Sequence, residues 1–524
     1  MTDNHKEQDT VVIGTIRRFL DVDPRHLDAI DEILGTPNLY TTLEALMPLA
    51  LFTDPVFGMK YPVDEGGQEH DIIAKILRKS MQLWHVAYFA MVALYLSNQY
   101  RHGLLSRKKL FRAVNHYNEY DCPLPDPATD EQLFSQMVRM AYQQFPYQHQ
   151  WWAGMTRASF MYGEANGETG GSLPDMVESL FGIQYHQVLD ICMSVYHVIH
   201  NQLRTGRNAA FSMNQLAERF LPWIERSSLE RIVGCVSQTR EEFRLACERT
   251  NSGDKALRKY DYNPLLERPL IRIDERYYAP VPPLILLWAM NGIAYQLSEQ
   301  PCKVGGHDFG HVFGHAFEDF IEAILRKSKR DYLREIDVKT NAGLDRTTDF
   351  IIIEGNHALL FDCKTRRATM RHRYGTLDAI ERDYGEIVHG LEQCIKTEQW
   401  IRLGVPEMQC QRKLEKVTQF DYGVVTLDDY FLSNSTLVEK LIQQKLGRDV
   451  KYQVLSGREL ELLLANLEGQ SLISFIKEKA SVRCSLPASY EDYLNVNCRK
   501  LVDPSQAAYL AFPAKLKNRI EYFP

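Results

Sequence analysis

The sequence predicts an α+β protein of several domains, in which an all-helical N-terminal half precedes an α/β core with a small mixed sheet. Three observations carry this. The chain has 524 residues, more than a single hydrophobic core ordinarily organises. Residues 1–255 repeat helix-start signals and show no strand-like alternation. From about residue 300, apolar runs of strand length are interleaved with helical periodicity.

Within the first half, Thr129–Gln132 and Ser212–Gln215 fit the capping box, in which a side chain at each end satisfies the other's free backbone N–H. Pro174 sits in a first helical turn, where its missing N–H costs nothing. The stretch GEANGETGGS, 163–172, is the clear loop of this half. LWHVAYFAMVALYL, 83–96, is too short for a membrane span and contains His85, so it reads as a helix buried on all sides. PPLILLWAMNGIAYQL, 282–297, fails as a span for the same reasons, and no membrane partner is expected. The aromatic run YQQFPYQHQWW, 142–152, reads as a helix-packing cluster.

The expected domain order is a helical recognition or regulatory domain at 1–255, a connecting segment at 256–300, an α/β core at 301–430, and an α/β extension at 431–524 packed on that core. Prolines punctuate the connector, and PLIRIDERYYAP alternates as a short hairpin does. Beyond it come helix 309–330, strands 332–339, 347–353 and 358–364, helix 376–402 and strand 421–427. Helix 436–446, strand 450–455 and helix 457–466 follow.

Hydrophobic residues make up 45% and charged residues 25%, the balance of a water-exposed globular protein. The net charge of −7 excludes a polycation, so any nucleic-acid contact must come from a local basic patch. Ten cysteines occur without a Cys-x-x-Cys pair. That argues against a structural zinc site and for reduced thiols in a cytoplasmic protein. The N-terminus MTDNHKEQDT is polar and is not expected to be a signal peptide.

The chemistry concentrates in TTDFIIIEGNHALLFDCKTRR, 347–367. The runs FIII and ALLF flank EGNH, and Gly355-Asn356 suits a two-residue hairpin turn with positive φ at the glycine. Such a turn pairs Glu354 with His357 and Asp349 with Asp362. Facing side chains lie about 4.5–5.5 Å apart at Cβ, and two carboxylates there repel unless a cation intervenes. Their hard oxygens favour Mg²⁺ or Mn²⁺. Lys364, two residues after Asp362, projects from the same face. Phe361 and Cys363 are expected to point the other way.

These residues resemble the PD-(D/E)xK nuclease superfamily over about 305–430. The resemblance implies a restriction-endonuclease-like core, with Asp349, Asp362 and Lys364 as its signature and Glu318, in GHAFE, as the glutamate of the preceding helix. Asp362 stands where the commoner residue is Glu, and no proline precedes Asp349. The resemblance further implies a Mg²⁺- or Mn²⁺-dependent nuclease, endonuclease favoured, acting on phosphodiester bonds of DNA. Asp349, Asp362, the Cys363 carbonyl and Glu318 would hold the metal, Lys364 would assist attack, and Gln393 or Lys396 would come from the following helix.

The ladder His307, His311, His315 precedes Glu318 on one helix, and Gly310 and Gly314 are expected to let that helix approach the sheet. The ladder lacks the Glu of His-Glu-x-x-His, so the expectation is phosphate contact or support of the acids rather than zinc. In KTRRATMRHRY, 364–374, Arg366, Arg367, Arg371 and Arg373 occur without an acid and are expected to bind phosphates. RKSKRDYLR, 326–334, reads as the basic end of a helix. Two other readings stay open: a nuclease-like module that binds nucleic acid or a partner without cutting, and a helical half that docks a protein partner. A nuclease joined to a sensor half suits bacterial defence against foreign DNA, an expectation from architecture.

Overall fold

The computed structural model describes residues 25–52, 81–120, 130–147, 152–165, 171–205, 210–220, 224–250, 255–299, 308–340, 343–368, 370–481, 489–497, 501–508 and 511. Helices come first: α1 (Arg25–Gly35), α2 (Leu39–Phe52), α3 (Leu83–Leu96), α4 (Arg107–Glu119), α5 (Asp130–Gln144), α6 (Met155–Gly163), α7 (Leu173–Phe181), α8 (Tyr185–Arg204), α9 (Met213–Phe220) and α10 (Arg226–Val236). Strand β1 (Ser237–Thr239), helix α11 (Arg240–Thr250) and strands β2 (Leu270–Ile273) and β3 (Arg276–Tyr278) follow. Helix α12 runs from Leu284 through a π turn at Trp288–Gly292 to Glu299.

The compact units divide the chain differently from the sequence boundary. One comprises 1–151 and 181–296, the other 152–180 and 297–524. The proline-punctuated segment, through residue 296, falls within the first unit. Its hairpin β2–β3 joins β1 in a three-stranded sheet of the first unit, because β1 pairs with β2 in parallel. That short β1 also interrupts the otherwise helical half. Helix α3 is buried from Leu83 through Leu94 apart from Trp84, as its unbroken apolar composition demands. Ser212 and Gln215 close the expected capping box, at 2.9 and 3.3 Å. Thr129 lies outside the described residues. Among the described residues, no helix is long and apolar enough to cross a membrane.

In the second unit α13 (Phe309–Ser328) starts at Asp308, whose side chain accepts from His311 N–H. Strands β4 (Tyr332–Arg334), β5 (Asp337–Thr340), β6 (Gly343–Arg346), β7 (Phe350–Glu354) and β8 (His357–Lys364) precede the short α14 (Met370–Arg373) and the long α15 (Leu377–Leu403). Then come α16 (Pro406–Gln409), β9 (Gln419–Thr426), α17 (Thr436–Leu446), β10 (Tyr452–Ser456), α18 (Gly457–Asn466), α19 (Leu472–Ser481) and α20 (Tyr490–Asn497). The sheet has the order β10-β9-β8-β7-β4; β10, β9 and β8 run parallel, while β7 is antiparallel to both β8 and β4. A small mixed sheet therefore forms where the sequence places it.

Helices cover both faces of this sheet. Leu360 and Ala358 of β8 and Ile351 of β7 pack with Cys394 of α15, and with Met408, Leu414 and Val417 beyond it. Burial of each such aliphatic side chain contributes about 1.5–3 kcal/mol. On the opposite face Phe350 stacks on Phe361 at 5.4 Å between ring centres. Tyr332 and Arg334, which share that face by register, reach Glu322 of α13 at 3.1 and 2.8 Å. Phe160 and Tyr162 of α6 lie against Phe320 and Phe313 of α13, which explains why 152–180 belongs to this unit.

Candidate metal-binding hairpin

The site grows from the β7–β8 hairpin. Gly355, with φ +66°, and Asn356 form the two-residue turn. Glu354 pairs with His357 and the ladder continues to Phe350–Phe361, so the next step brings Asp349 to Asp362. Asp362 is 1% exposed. Asp349 Oδ2 accepts from Cys363 N–H at 2.6 Å. Lys364 Nζ lies against Asp362 Oδ2, on the acid-bearing face. Phe361 points to the other face, as alternation requires.

Burial and the charge of Asp362 push Asp349 well above the usual carboxylate range. Burial also raises Asp362, against the opposing effect of Lys364. Lys364 is itself half-desolvated, but Asp362 and Asp349 outweigh that cost and hold its ammonium above its ordinary value. Glu318 is pushed up to about 7, first by burial and then by Glu335, with Arg334 opposing. Asp362 and Glu318 each disfavour the other's ionised form, and Glu318 acts likewise on Asp349. The three carboxyls thus share one electrostatic environment.

The helix that carries Glu318 does not lie over the acid-bearing face. That face belongs to α15, whose Gly390 sits so close that a Cβ there would meet Asp362 Oδ2 at 3.1 Å and Val424 Cγ2 at 3.2 Å. Helix α13 lies over the Phe350–Phe361 face, and Glu318 approaches the acids from that side, 3.6 Å from His315 and 3.9 Å from Arg334. Gly310 and Gly314 accordingly make no close approach: a Cβ at Gly314 would meet nothing within 4 Å, and one at Gly310 only Asp308, at 3.5 Å. His311 and His315 meet edge to face at 4.5 Å between ring centres. His307 lies outside the described residues.

Glu335 and Gly390 are missing from the sequence reading. The strand expected at 332–339 breaks at Glu335. Arg334 pairs with Phe350, whereas Thr347 N–H donates to Ile336 O, so Glu335 alone faces Thr348 and Asp349. This is a β-bulge, which re-aims side chains beside it. Glu335 is held above its usual range by burial, with Asp362 among the charges that raise it, while Arg346 at 3.2 Å opposes. Thr348 N–H donates to Thr397 Oγ1 of α15 at 2.8 Å, which ties the bulge to that helix.

The basic run is not a free cationic stripe. Arg366 pairs with Glu386 at 2.7 Å, Arg367 with Asp428 at 3.0 Å and Arg371 with Asp378 at 3.1 Å; Arg373 donates to Ala368 O. Acids downstream of the run neutralise it. On α15, Lys396 pairs with Asp345 and lies over Trp400, away from the acids. Gln393 is half-buried on the same helix, one turn beyond Gly390.

Two facing buried carboxylates suit a hard divalent cation, because ionising both without one is costly. Asp349, Asp362 and Glu318 do not bring one ligand atom each within 4.8 Å of one another. Among the described residues, the metal-type group whose ligand atoms all lie within 4.8 Å of one another is a different one, His26, His116 and Glu119. Compared with models of known protein families, with curated proteins and with solved structures, the chain matches none.

Proposed function

We propose that the chain is a metal-dependent nuclease of PD-(D/E)xK type, with a restriction-endonuclease-like core, hydrolysing phosphodiester bonds of DNA. One observation carries the reading: Asp349, half-buried, and Asp362, buried, meet across the hairpin and are raised together, with the Lys364 ammonium against Asp362. In a structural ion pair one carboxylate and one ammonium suffice. A second buried acid facing the first is a cost that a retained proton or a bound cation relieves, and a cation does so with both acids ionised.

Asp349, Asp362 and the Cys363 carbonyl are the residues that would hold Mg²⁺ or Mn²⁺. The bound ion would supply a water nucleophile at neutral pH and polarise the scissile phosphate. Lys364 would orient that nucleophile and stabilise charge developing on the phosphate. Glu318, raised to about 7, would exchange a proton near neutrality. Gln393 would line the site from α15. Bacterial defence against foreign DNA is the setting that a nuclease with a helical sensor half suits best, and the helical unit would then bind the triggering partner.

The pairing of Arg366, Arg367 and Arg371 with acids leaves little free positive charge beside the site, which counts against tight phosphate binding there and favours, as a second reading, a nuclease-like module that binds a partner without cutting. Circular and linear DNA, incubated with and without Mg²⁺ and Mn²⁺, separates the readings. Nicking of the circle supports an endonuclease, and shortening of linear DNA alone supports an exonuclease. No cleavage under any condition, with intact binding, selects the non-cutting module.

A further inference from the structure

We propose that His26, His116 and Glu119 form a second metal site, for a first-row transition ion of the Zn²⁺ type, in the helical unit. His116 and Glu119 are three residues apart on α4, so they share one side of it. His26 stands in the first turn of α1, which packs along α4. Buried Leu27, Ile30 and Leu34 on α1, and Leu110, Ala113, Val114 and Tyr117 on α4, fix the pair independently of the three ligands.

His26 Nδ1 lies 3.0 Å from His116 Nδ1 and 3.5 Å from Glu119 Oε2. A tetrahedral ion with bonds of about 2.0–2.1 Å places its ligand atoms about 3.3 Å apart, between those two separations. All three ligand atoms fall within 4.8 Å of one another. Two neutral imidazoles can meet through Nδ1 only as opposite tautomers, one donating to the other. An ion accepts both lone pairs at once. Imidazole nitrogens with one carboxylate favour Zn²⁺, Co²⁺, Ni²⁺ or Cu²⁺ over Mg²⁺. The side chain of Glu119 is 62% exposed, so the fourth position opens to solvent. The bound ion would clamp α1 to α4 across ninety positions of sequence.

The test uses tag-free full-length protein dialysed against Zn²⁺, with bound metal counted by mass spectrometry, and Co²⁺ substitution read by visible absorption. One ion per chain is expected, with the intense visible bands of low-coordinate Co²⁺. His26→Ala should abolish this. Glu119→Ala, at an exposed position that leaves packing intact, should weaken binding by at least about tenfold, since removing a ligand costs no less than removing its supporting partner. Asp349→Ala/Asp362→Ala should retain the ion, which separates this site from the hairpin whatever the outcome there. Absence of bound ion in the wild type, retention in both Glu119→Ala and His26→Ala, or loss in the Asp349/Asp362 variant overturns the proposal.

Discussion

The acid hairpin at Asp349–Asp362 and the histidine seam at His26–His116–Glu119 solve opposite problems. In the hairpin, two carboxyl groups lie thirteen positions apart, Asp362 buried and Asp349 half-buried. In the seam, imidazole nitrogens come from helices ninety positions apart and stay partly exposed. The acids are destabilised by their surroundings and are raised out of the carboxylate range. The seam rests on apolar packing that holds without its ligands. The difference teaches that a site formed inside one hairpin can be read from local register, whereas a site across a helix–helix seam depends on packing partners that no local pattern names.

The largest expected effect comes from breaking the hairpin. Asp362→Ala should abolish Mg²⁺-dependent cleavage, and Lys364→Ala should lower it by about 10²–10³-fold, the cost of one group aimed at developing charge. Cleavage of a fluorescent DNA substrate reads both. Wild-type rates in both variants would remove the hairpin from the chemistry. Glu119→Ala should leave cleavage unchanged, which keeps the two sites apart.

A pH experiment sharpens the contrast. The folded-state pKa of Asp349 lies above its unfolded value. The associated stability is therefore fully present below the unfolded pKa and is lost as pH rises through the folded one. Asp349→Asn keeps the acceptor for Cys363 N–H and removes the charge. Without metal it should melt higher than wild type at pH 8 by about 1–2 kcal/mol equivalent, and the gap should vanish by about pH 4. Saturating Mg²⁺ should stabilise wild type and not the variant. Calorimetry over pH 4–9 decides it; a metal-free variant less stable than wild type at pH 8 would mean the acids are not in conflict.

Gly390 offers a smaller effect whose sign is informative. In an exposed helix Gly→Ala stabilises by about 0.5–1 kcal/mol. Here the new methyl would press on Asp362 and Val424, and overpacking costs about 1–3 kcal/mol. A net loss of stability and activity is expected. A higher melting temperature with full activity would show that α15 does not press on the acid. Smallest of all, Arg371→Ala at an exposed pair should weaken DNA binding only severalfold and lower the salt slope by about 1, measured by fluorescence anisotropy across salt.

Much of the second unit was legible because its signals are local. Helix 436–446 and helix 457–466 fall where caps and periodicity put them, and the turn at Gly355-Asn356 fixes the β7–β8 register through Phe350–Phe361. The hairpin turn, a two-residue affair, demands positive φ at a glycine, and alternation then assigns Asp362 and Lys364 to one face. The restriction-endonuclease-like identity of the core is a proposal built on that hairpin.

The sequence by itself determined the helical first half, the hairpin and which of its side chains share a face, because periodicity and turn chemistry act within about ten residues. Only the tertiary structure decided the rest. It placed α13 on the Phe350–Phe361 face and gave the acid face to α15. It bulged the chain at Thr348–Asp349 opposite Glu335, neutralised Arg366, Arg367 and Arg371 with Glu386, Asp428 and Asp378, and brought His26 to His116. All but the Arg371–Asp378 pair, seven positions apart, depend on pairing between segments far apart in the chain. Such pairing is selected by the burial of whole faces against each other, a quantity that no single segment carries.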